Sequence, residues 1–314
     1  MLTLATIGTS QITKNLADAV SRVPGVRIGC VYSRDEGRAA EFAAQLGVGS
    51  SASDLDAVLG DPGIDAIYVA SPNSVHAAQA AQALRAGKHV LVEKPAVTDL
   101  ADWDALVSLA AQNGVVVLEA IRTRFDPGLA AVAELLPTVG VLRKVSLRYE
   151  KRSSRYDQVL AGEVPNIFDP RFGGGALNDL GIYVIHALLS LLGPPDHVVA
   201  MNVPIRTGVD GLGTILASYP GFVADLHYSK ITSPEQPSVI QGEDGVITID
   251  AIDAPRSITC DDGAEQRTTT VDAPPNPMEG EVRRFADLVA GTDDPGADNA
   301  ATRQALQIIA AAAG

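Results

Sequence analysis

The sequence predicts an α/β chain: a doubly wound parallel sheet in the first third, then an α+β domain built on a mostly antiparallel sheet. Three observations carry this. Short apolar runs, each closed by a turn and followed by a helical stretch, alternate from Leu2 to Leu118, and strands joined by such crossovers pair in parallel through right-handed connections. Later runs alternate apolar and polar residues, as in Val145, Leu147 and Tyr149 or Phe222, Ala224, Leu226 and Tyr228; that is the pattern of antiparallel strands with one covered face. The length, 314 residues at 46% apolar content, suffices for two domains with a core each. The boundary is expected near Ala120, dividing residues 1–120 from 121–314.

Bulk properties exclude several classes. With 24 basic against 38 acidic residues the net charge is -14, which repels phosphate backbones and anionic membrane surfaces, so neither nucleic acid nor membrane is expected as a partner. Cys30 and Cys260 stand far apart without spaced His/Cys clusters. This points to a reducing cytoplasm and to no metal site. No basic leader precedes an apolar segment, and no apolar run approaches ~20 residues, so neither secretion nor a membrane span is expected.

The first strand, Leu2 to Ile7, ends in Gly8-Thr9-Ser10-Gln11-Ile12-Thr13 before a helical stretch from Lys14 to Ser21. Strand, tight turn and helix N-terminus together aim backbone N–H groups at a pyrophosphate. The dinucleotide fingerprint is Gly-x-Gly-x-x-Gly/Ala, and Ser10 and Thr13 replace its second and third small residues, which makes this a modified loop. The second strand, Val26 to Tyr32, ends in Ser33-Arg34. An acid there would accept from a ribose 2′-OH, whereas Ser and Arg suit the 2′-phosphate of NADP, so NADP is expected, with NAD the alternative. Ala66 to Ala70 runs into Ser71-Pro72-Asn73 and a helix carrying His76; this turn also exposes N–H groups at the carboxyl edge. Next, His89 to Val92 stops at Glu93-Lys94-Pro95, delivering an ammonium to the edge where open α/β sheets keep their ligands. Lysine is costly to bury unpaired, so Lys94 beside Glu93 reads as a tuned acid or base. Helix Leu100 to Gln112 and strand Val115 to Leu118 complete the alternation.

In the second part, Gly173-Gly174-Gly175 precedes a helix expected from Ala176 to Leu192. Asp179, Tyr183 and His186 fall at i, i+4 and i+7, on one face. His186 reads as a core histidine; the acid and the phenol read as chemistry. The polar insertion ahead of the glycines supplies Arg152, Arg155, Tyr156 and Asn166 as substrate-contacting candidates, since long loops inside compact domains are usually functional. A proline-rich connection leads to a helix with Val282, Phe285, Leu288 and Val289 on one face, and a last helix, Asn299 to Ala312, is expected to pack on the sheet domain.

These segments, in order from the Gly8 turn through Ser33-Arg34, Ser71-Pro72-Asn73, Glu93-Lys94-Pro95 and Glu119 to Phe125 to Gly173 through Tyr183, resemble the Gfo/Idh/MocA oxidoreductases. The resemblance implies an N-terminal Rossmann domain and a C-terminal α+β domain with a large open sheet that commonly mediates association, here a homodimer or a higher homo-oligomer. It implies a catalytic set of Lys94, Asp179 and Tyr183; Arg122 and Arg124, just past the last Rossmann strand, are expected either to line the cleft near the nicotinamide or to bridge the domains. The expected activity is NADP-dependent hydride transfer at a hydroxyl/carbonyl carbon of a small molecule such as a sugar, polyol, cyclitol or dihydrodiol. The expected cofactor contacts are Gly8, Thr9, Ser10, Gln11, Ile12, Ser33, Arg34, Ser71, Pro72, Asn73, His76, Glu93, Lys94 and Arg122. Substrate contacts are expected from Lys94, Arg155, Tyr156, Asn166, Asp179 and Tyr183. A non-catalytic nicotinamide-binding sensor is the competing reading; it is disfavoured because all three catalytic residue types are retained.

Overall fold

Apolar runs buried on both faces become the strands of a parallel sheet. In the computed structural model, which describes residues 1–313, the first is β1 (Leu2–Ile7), buried over its last five residues. There follow α1 (Gln11–Arg22), β2 (Val26–Tyr32), α2 (Glu36–Leu46), a short β3 (Ser51–Ala52), α3 (Leu55–Gly60), β4 (Ala66–Val69), α4 (His76–Arg85), β5 (His89–Glu93), α5 (Leu100–Asn113) and β6 (Val117–Ala120). Asp35, Asp54 and Asp99 cap α2, α3 and α5 by accepting from backbone N–H groups, and left-handed Gly47 and Gly114 end α2 and α5. The six strands pair in parallel in the order β3-β2-β1-β4-β5-β6. That order reverses direction between β1 and β4, so the turns leaving these two strands flank the crevice where such sheets bind ligands.

The second sheet is mixed. After α6 (Pro127–Leu135) come β7 (Leu142–Glu150) and α7 (Tyr156–Leu160); a π-helical turn, Leu177–Gly181, then runs directly into α8 (Ile182–Leu192). Strands β8 (His197–Pro204), β9 (Asp210–Tyr219), β10 (Phe222–Ser229), β11 (Ser238–Gly242), β12 (Val246–Ile249), β13 (Ser257–Asp261) and β14 (Gln266–Thr270) complete it, and α9 (Glu279–Val289) and α10 (Gly296–Ala313) close the chain. The order is β14-β13-β12-β11-β7-β10-β9-β8; β7 and β10 pair in parallel and every other pair is antiparallel. Helix α8, buried from Ile182 to Leu189, packs on β7 and β10. On the other face Val199, Met201, Leu216 and Val223 are exposed.

Two expectations are corrected. A single cut at residue 120 does not describe the chain. Residues Met1–Arg122 form one unit together with Pro275–Arg303, while Thr123–Pro274 and the tail from Gln304 form the other. The physical reason lies in polar side chains that tie the returning segment to the first unit. The Asn276 amide donates to the Asn15 carbonyl at 2.8 Å and to Asp18 at 2.9 Å, the Trp103 indole donates to the Asn299 carbonyl at 3.1 Å, and Thr302 donates to buried Glu119 at 3.0 Å. Hence α10 packs on the first unit along its opening turns and joins the sheet unit only from Gln304 onward. The second correction concerns apolar length. The helical stretch Pro170–Leu192 is long and apolar enough to cross a membrane, but 78% of its apolar 18-residue window is buried inside the protein, as in a core helix.

Candidate active site

The predicted cofactor residues lie on the turns at the carboxyl edge of the parallel sheet. Gly8 has φ +117, a conformation open to glycine, and a Cβ there would collide with the carbonyl oxygen of Ala70, so the β1 turn lies against the end of β4 at a separation that excludes every other residue. Ser10 occupies the N-cap position of α1 with extended backbone and makes no side-chain cap hydrogen bond. Thr13, at the fingerprint's third position, is fully buried, and its hydroxyl donates to the Gly8 carbonyl at 3.1 Å. That bond does locally what small size does elsewhere: it fixes the turn against the helix. No acid stands in the first turn of α1, and Thr9, Gln11 and Ile12 border its N-terminus, where backbone N–H groups and the helix dipole favour an anion. These observations fit a dinucleotide pyrophosphate. Ser33 is half-buried and Arg34 exposed past β2; Ser71, Pro72 and Asn73 follow β4, with the Ser71 hydroxyl donating to Gln79 at 2.6 Å.

Lys94 sits in a turn braced by buried groups, and the Lys94–Pro95 peptide is cis. His76 places one ring nitrogen 3.0 Å from the Pro95 carbonyl and the other 2.8 Å from the Ser71 carbonyl, so it ties the β4 and β5 turns together. Glu119 on β6 accepts from the Ala96 N–H at 2.9 Å. Glu93 accepts from the Tyr68 hydroxyl at 2.5 Å and from the Lys94 N–H at 3.3 Å. His76 and Glu93, both expected to touch the cofactor, are buried, and their side chains are hydrogen-bonded within the protein, His76 to the Pro95 and Ser71 carbonyls and Glu93 to Tyr68 and the Lys94 N–H. Burial pushes the Glu93 carboxyl up, opposed by the Tyr68 bond and the Lys94 charge, and lowers the His76 ring below the ordinary histidine range against the pull of its two carbonyl partners. Behind them Glu281 on α9 is 1% exposed, and burial, followed by the charge of Glu93, holds its carboxyl well above the usual range. Half-buried Arg122 opposes that shift, which places its charge on this acid group.

In the other unit Asp179 belongs to the π-helical turn and Tyr183 and His186 to the start of α8. The expected uninterrupted α-helix is replaced by one wider turn, and Gly181 lets that turn lie against the Tyr228 ring. The three residues do not share one environment: the Asp179 side chain is 38% exposed, Tyr183 is buried edge-on to Tyr149 at 5.2 Å between centroids, and His186 is fully buried. Sequence reasoning missed Lys230, whose ammonium pairs with Asp179 and lies 5.0 Å from the Phe168 ring centroid. Phe168 also packs against Tyr156, which carries the Arg152 guanidinium over its ring, so Arg152, Tyr156, Phe168, Lys230 and Asp179 form one continuous patch. Arg155 and Asn166 are exposed on the same insertion. Cys30 and Cys260 are buried free thiols. No metal-ligand cluster exists among the described residues.

Comparison with known proteins agrees with this architecture. A model of the oxidoreductase family with NAD-binding Rossmann fold matches residues 2–121, and a model of the GFO/IDH/MocA C-terminal domain matches residues 138–248. A scyllo-inositol 2-dehydrogenase (NADP(+)) from Bacillus subtilis is 39% identical over 82% of this chain and 79% of its own. A trans-1,2-dihydrobenzene-1,2-diol dehydrogenase from Mus musculus is 29% identical over 79% of this chain and 74% of its own. Among solved structures, a 3-ketoreductase from Actinomadura kijaniata in complex with NADP and TDP-benzene superposes with a TM-score of 0.90 at 24% identity, covering 99% of this chain and 97% of that one. The two family models cover the parallel-sheet unit and most of the mixed sheet, and the chain belongs to the GFO/IDH/MocA oxidoreductase family.

Proposed function

We propose that the protein is an NADP-dependent dehydrogenase or reductase acting at a hydroxyl/carbonyl carbon of a sugar, polyol, cyclitol or dihydrodiol. The observation that carries this is the Lys94 turn, held by His76, Glu93 and Glu119 at the same sheet edge as a β1 turn that admits only glycine. The named relatives act on a cyclitol and a dihydrodiol, which supports the substrate class. When bound, the nicotinamide supplies or takes up the hydride. Gly8 through Ile12 and the N-terminus of α1 would receive the pyrophosphate, with Ser71 and Asn73 on the adjoining turn, and Ser33 and Arg34 would hold the 2′-phosphate. The proposed catalytic set is Lys94, Tyr183 and Asp179: an ammonium able to hydrogen-bond a reacting oxygen, a phenol able to exchange a proton and a carboxylate able to orient a hydroxyl; such acid-base help is worth ~100 to 10,000-fold. Tyr156, Arg155 and Asn166 contact the rest of the substrate.

The test is a panel of sugars, polyols, inositols and aromatic dihydrodiols followed by NADPH absorbance, with Lys94→Met as blank. Turnover by the native protein, with a loss of at least a hundredfold in Lys94→Met and in Tyr183→Phe and NADPH binding retained, is the expected result. Silence across the panel despite tight NADPH binding would replace the enzyme by a nicotinamide sensor. The exposed sheet face, where apolar Val199, Met201, Leu216 and Val223 accompany an Asp225 carboxylate that accepts from Ser146 and His227, is suited to a homodimer. Two buried free thiols suit a reducing cytoplasm.

A further inference from the structure

We propose that Lys230 is a positioning residue: it fixes the Asp179 carboxylate, and through it the substrate hydroxyl, without touching substrate itself. The role rests on the oxidoreductase reading above. Lys230 directly follows β10, where Ala224, Leu226 and Tyr228 face the core, and the same parity carries its side chain inward to 2% exposure. Its backbone is pinned on both sides, donating to the Gly211 carbonyl at 2.8 Å and accepting from the Ser153 N–H at 2.8 Å. The ammonium lies over Phe168 and pairs with Asp179. An ammonium so enclosed stays charged only beside an opposite charge, and an enclosed charge holds its partner to one geometry.

The exposure of the two partners separates their roles. Asp179 is 38% exposed and Lys230 is 2% exposed, so the carboxylate meets solvent and ligand while the ammonium anchors it from behind. The π-helical turn adds a second constraint, because its first N–H, that of Leu177, donates to Asp210 at 2.6 Å. Asp210 is itself within the influence of the Lys230 charge. The Lys230 charge acts on Asp210 of β9, and Asp210 in turn acts on Tyr228 of β10. Two elements thus converge on the turn carrying Asp179: a strand end supplies the counter-charge and a neighbouring strand supplies the backbone clamp.

A double-mutant cycle tests this, using Lys230→Met, Asp179→Asn and the double variant with scyllo-inositol and a trans-dihydrodiol as probes and NADP+ as oxidant. Lys230→Met is expected to lower kcat roughly 30- to 100-fold, with KM changed less than about threefold and the NADPH Kd within about twofold. The double variant should be no worse than Asp179→Asn, since Lys230 acts through that carboxylate. Multiplying losses, or near-native kcat in Lys230→Met, would overturn the proposal. Melting temperatures of the same four proteins give a readout free of turnover: coupled shifts support the pair, and additive shifts overturn it. If the native protein turns over neither probe, the kinetic arm is run with a panel substrate that it does turn over, and silence across the whole panel ends the oxidoreductase reading while the melting cycle still decides the pair. Lys230→Gln, read the same way, replaces Lys230→Met if the latter does not fold.

Discussion

Replacing Gly8 with alanine perturbs the turn proposed to receive the dinucleotide, and its cost follows from two features of the structure. An L-residue at φ +117 is strained by about 1–3 kcal/mol. The added Cβ also meets the Ala70 carbonyl, which cannot simply retreat, because the Ala70 N–H donates to the Ile7 carbonyl at 2.8 Å and so ties β4 to β1. Overpacking of this kind costs about 1–3 kcal/mol more. The sum, roughly 2–6 kcal/mol, corresponds to a fall in Tm of roughly 5–20 °C at about 2–4 °C per kcal/mol. Differential scanning fluorimetry with and without NADPH reads both consequences. A native protein gains about 2.7 kcal/mol of stability at a hundredfold excess of ligand over Kd, and Gly8→Ala should lose most of that gain as well as the Tm. A variant melting within 2 °C of native and equally protected by NADPH would refute the reasoning, since the turn would then have given way at no cost.

Arg34→Ala should raise the KM for NADPH about 10- to 100-fold and leave that for NADH unchanged, because a charge-assisted contact to phosphate is worth about 1.5–3 kcal/mol; equal effects on both cofactors would remove Arg34 from the 2′-phosphate. Glu281→Gln should stabilise the protein at alkaline pH. The Glu281 carboxyl is raised in the folded state, so the stability it contributes is present below its unfolded value near 4.5 and is lost as pH rises towards the folded one. Urea unfolding at pH 5 and pH 8.5 should show the variant's advantage at the higher pH alone. Met201→Asp should lower the mass in light scattering from that of the proposed dimer to that of a monomer, and a native protein that is itself monomeric, or a variant of unchanged mass, would remove this face as the interface.

The parallel sheet was legible because each strand runs apolar from end to end and stops at a turn residue whose chemistry is local: Gly8, Ser33, Ser71, Lys94. The same locality made the loop departures interpretable, although the Thr13 bond to the Gly8 carbonyl depends on a helix packing tightly against its strand, which no pairwise spacing announces. The return of residues 275–303 to the first unit was not legible. It depends on Asn276, Thr302 and the Asn299 carbonyl finding partners between 183 and 261 positions away, and each is an ordinary polar residue on its own helix or turn. Lys230 was legible in principle: the parity of Ala224, Leu226 and Tyr228 points it inward, but a lysine closing a strand ordinarily reads as a solvated end. His76 and Glu93 lie in the right turns, yet turn membership does not reveal which way a side chain faces once the carbonyls of Ser71 and Pro95 compete for it.

Because the unit built on the parallel sheet is completed by residues 275–303, its first segment and its closing one are separated in synthesis by the whole of residues 123–274. A nascent chain halted at residue 122 holds all six parallel strands but lacks the amide that grips Asn15 and Asp18, the carbonyl that receives the Trp103 indole and the hydroxyl that satisfies Glu119. On the ribosome that half waits, incompletely sealed, while the sheet domain emerges and matures. A cut that releases residues 275–303 therefore takes part of the unit whose strands lie at the other end of the chain.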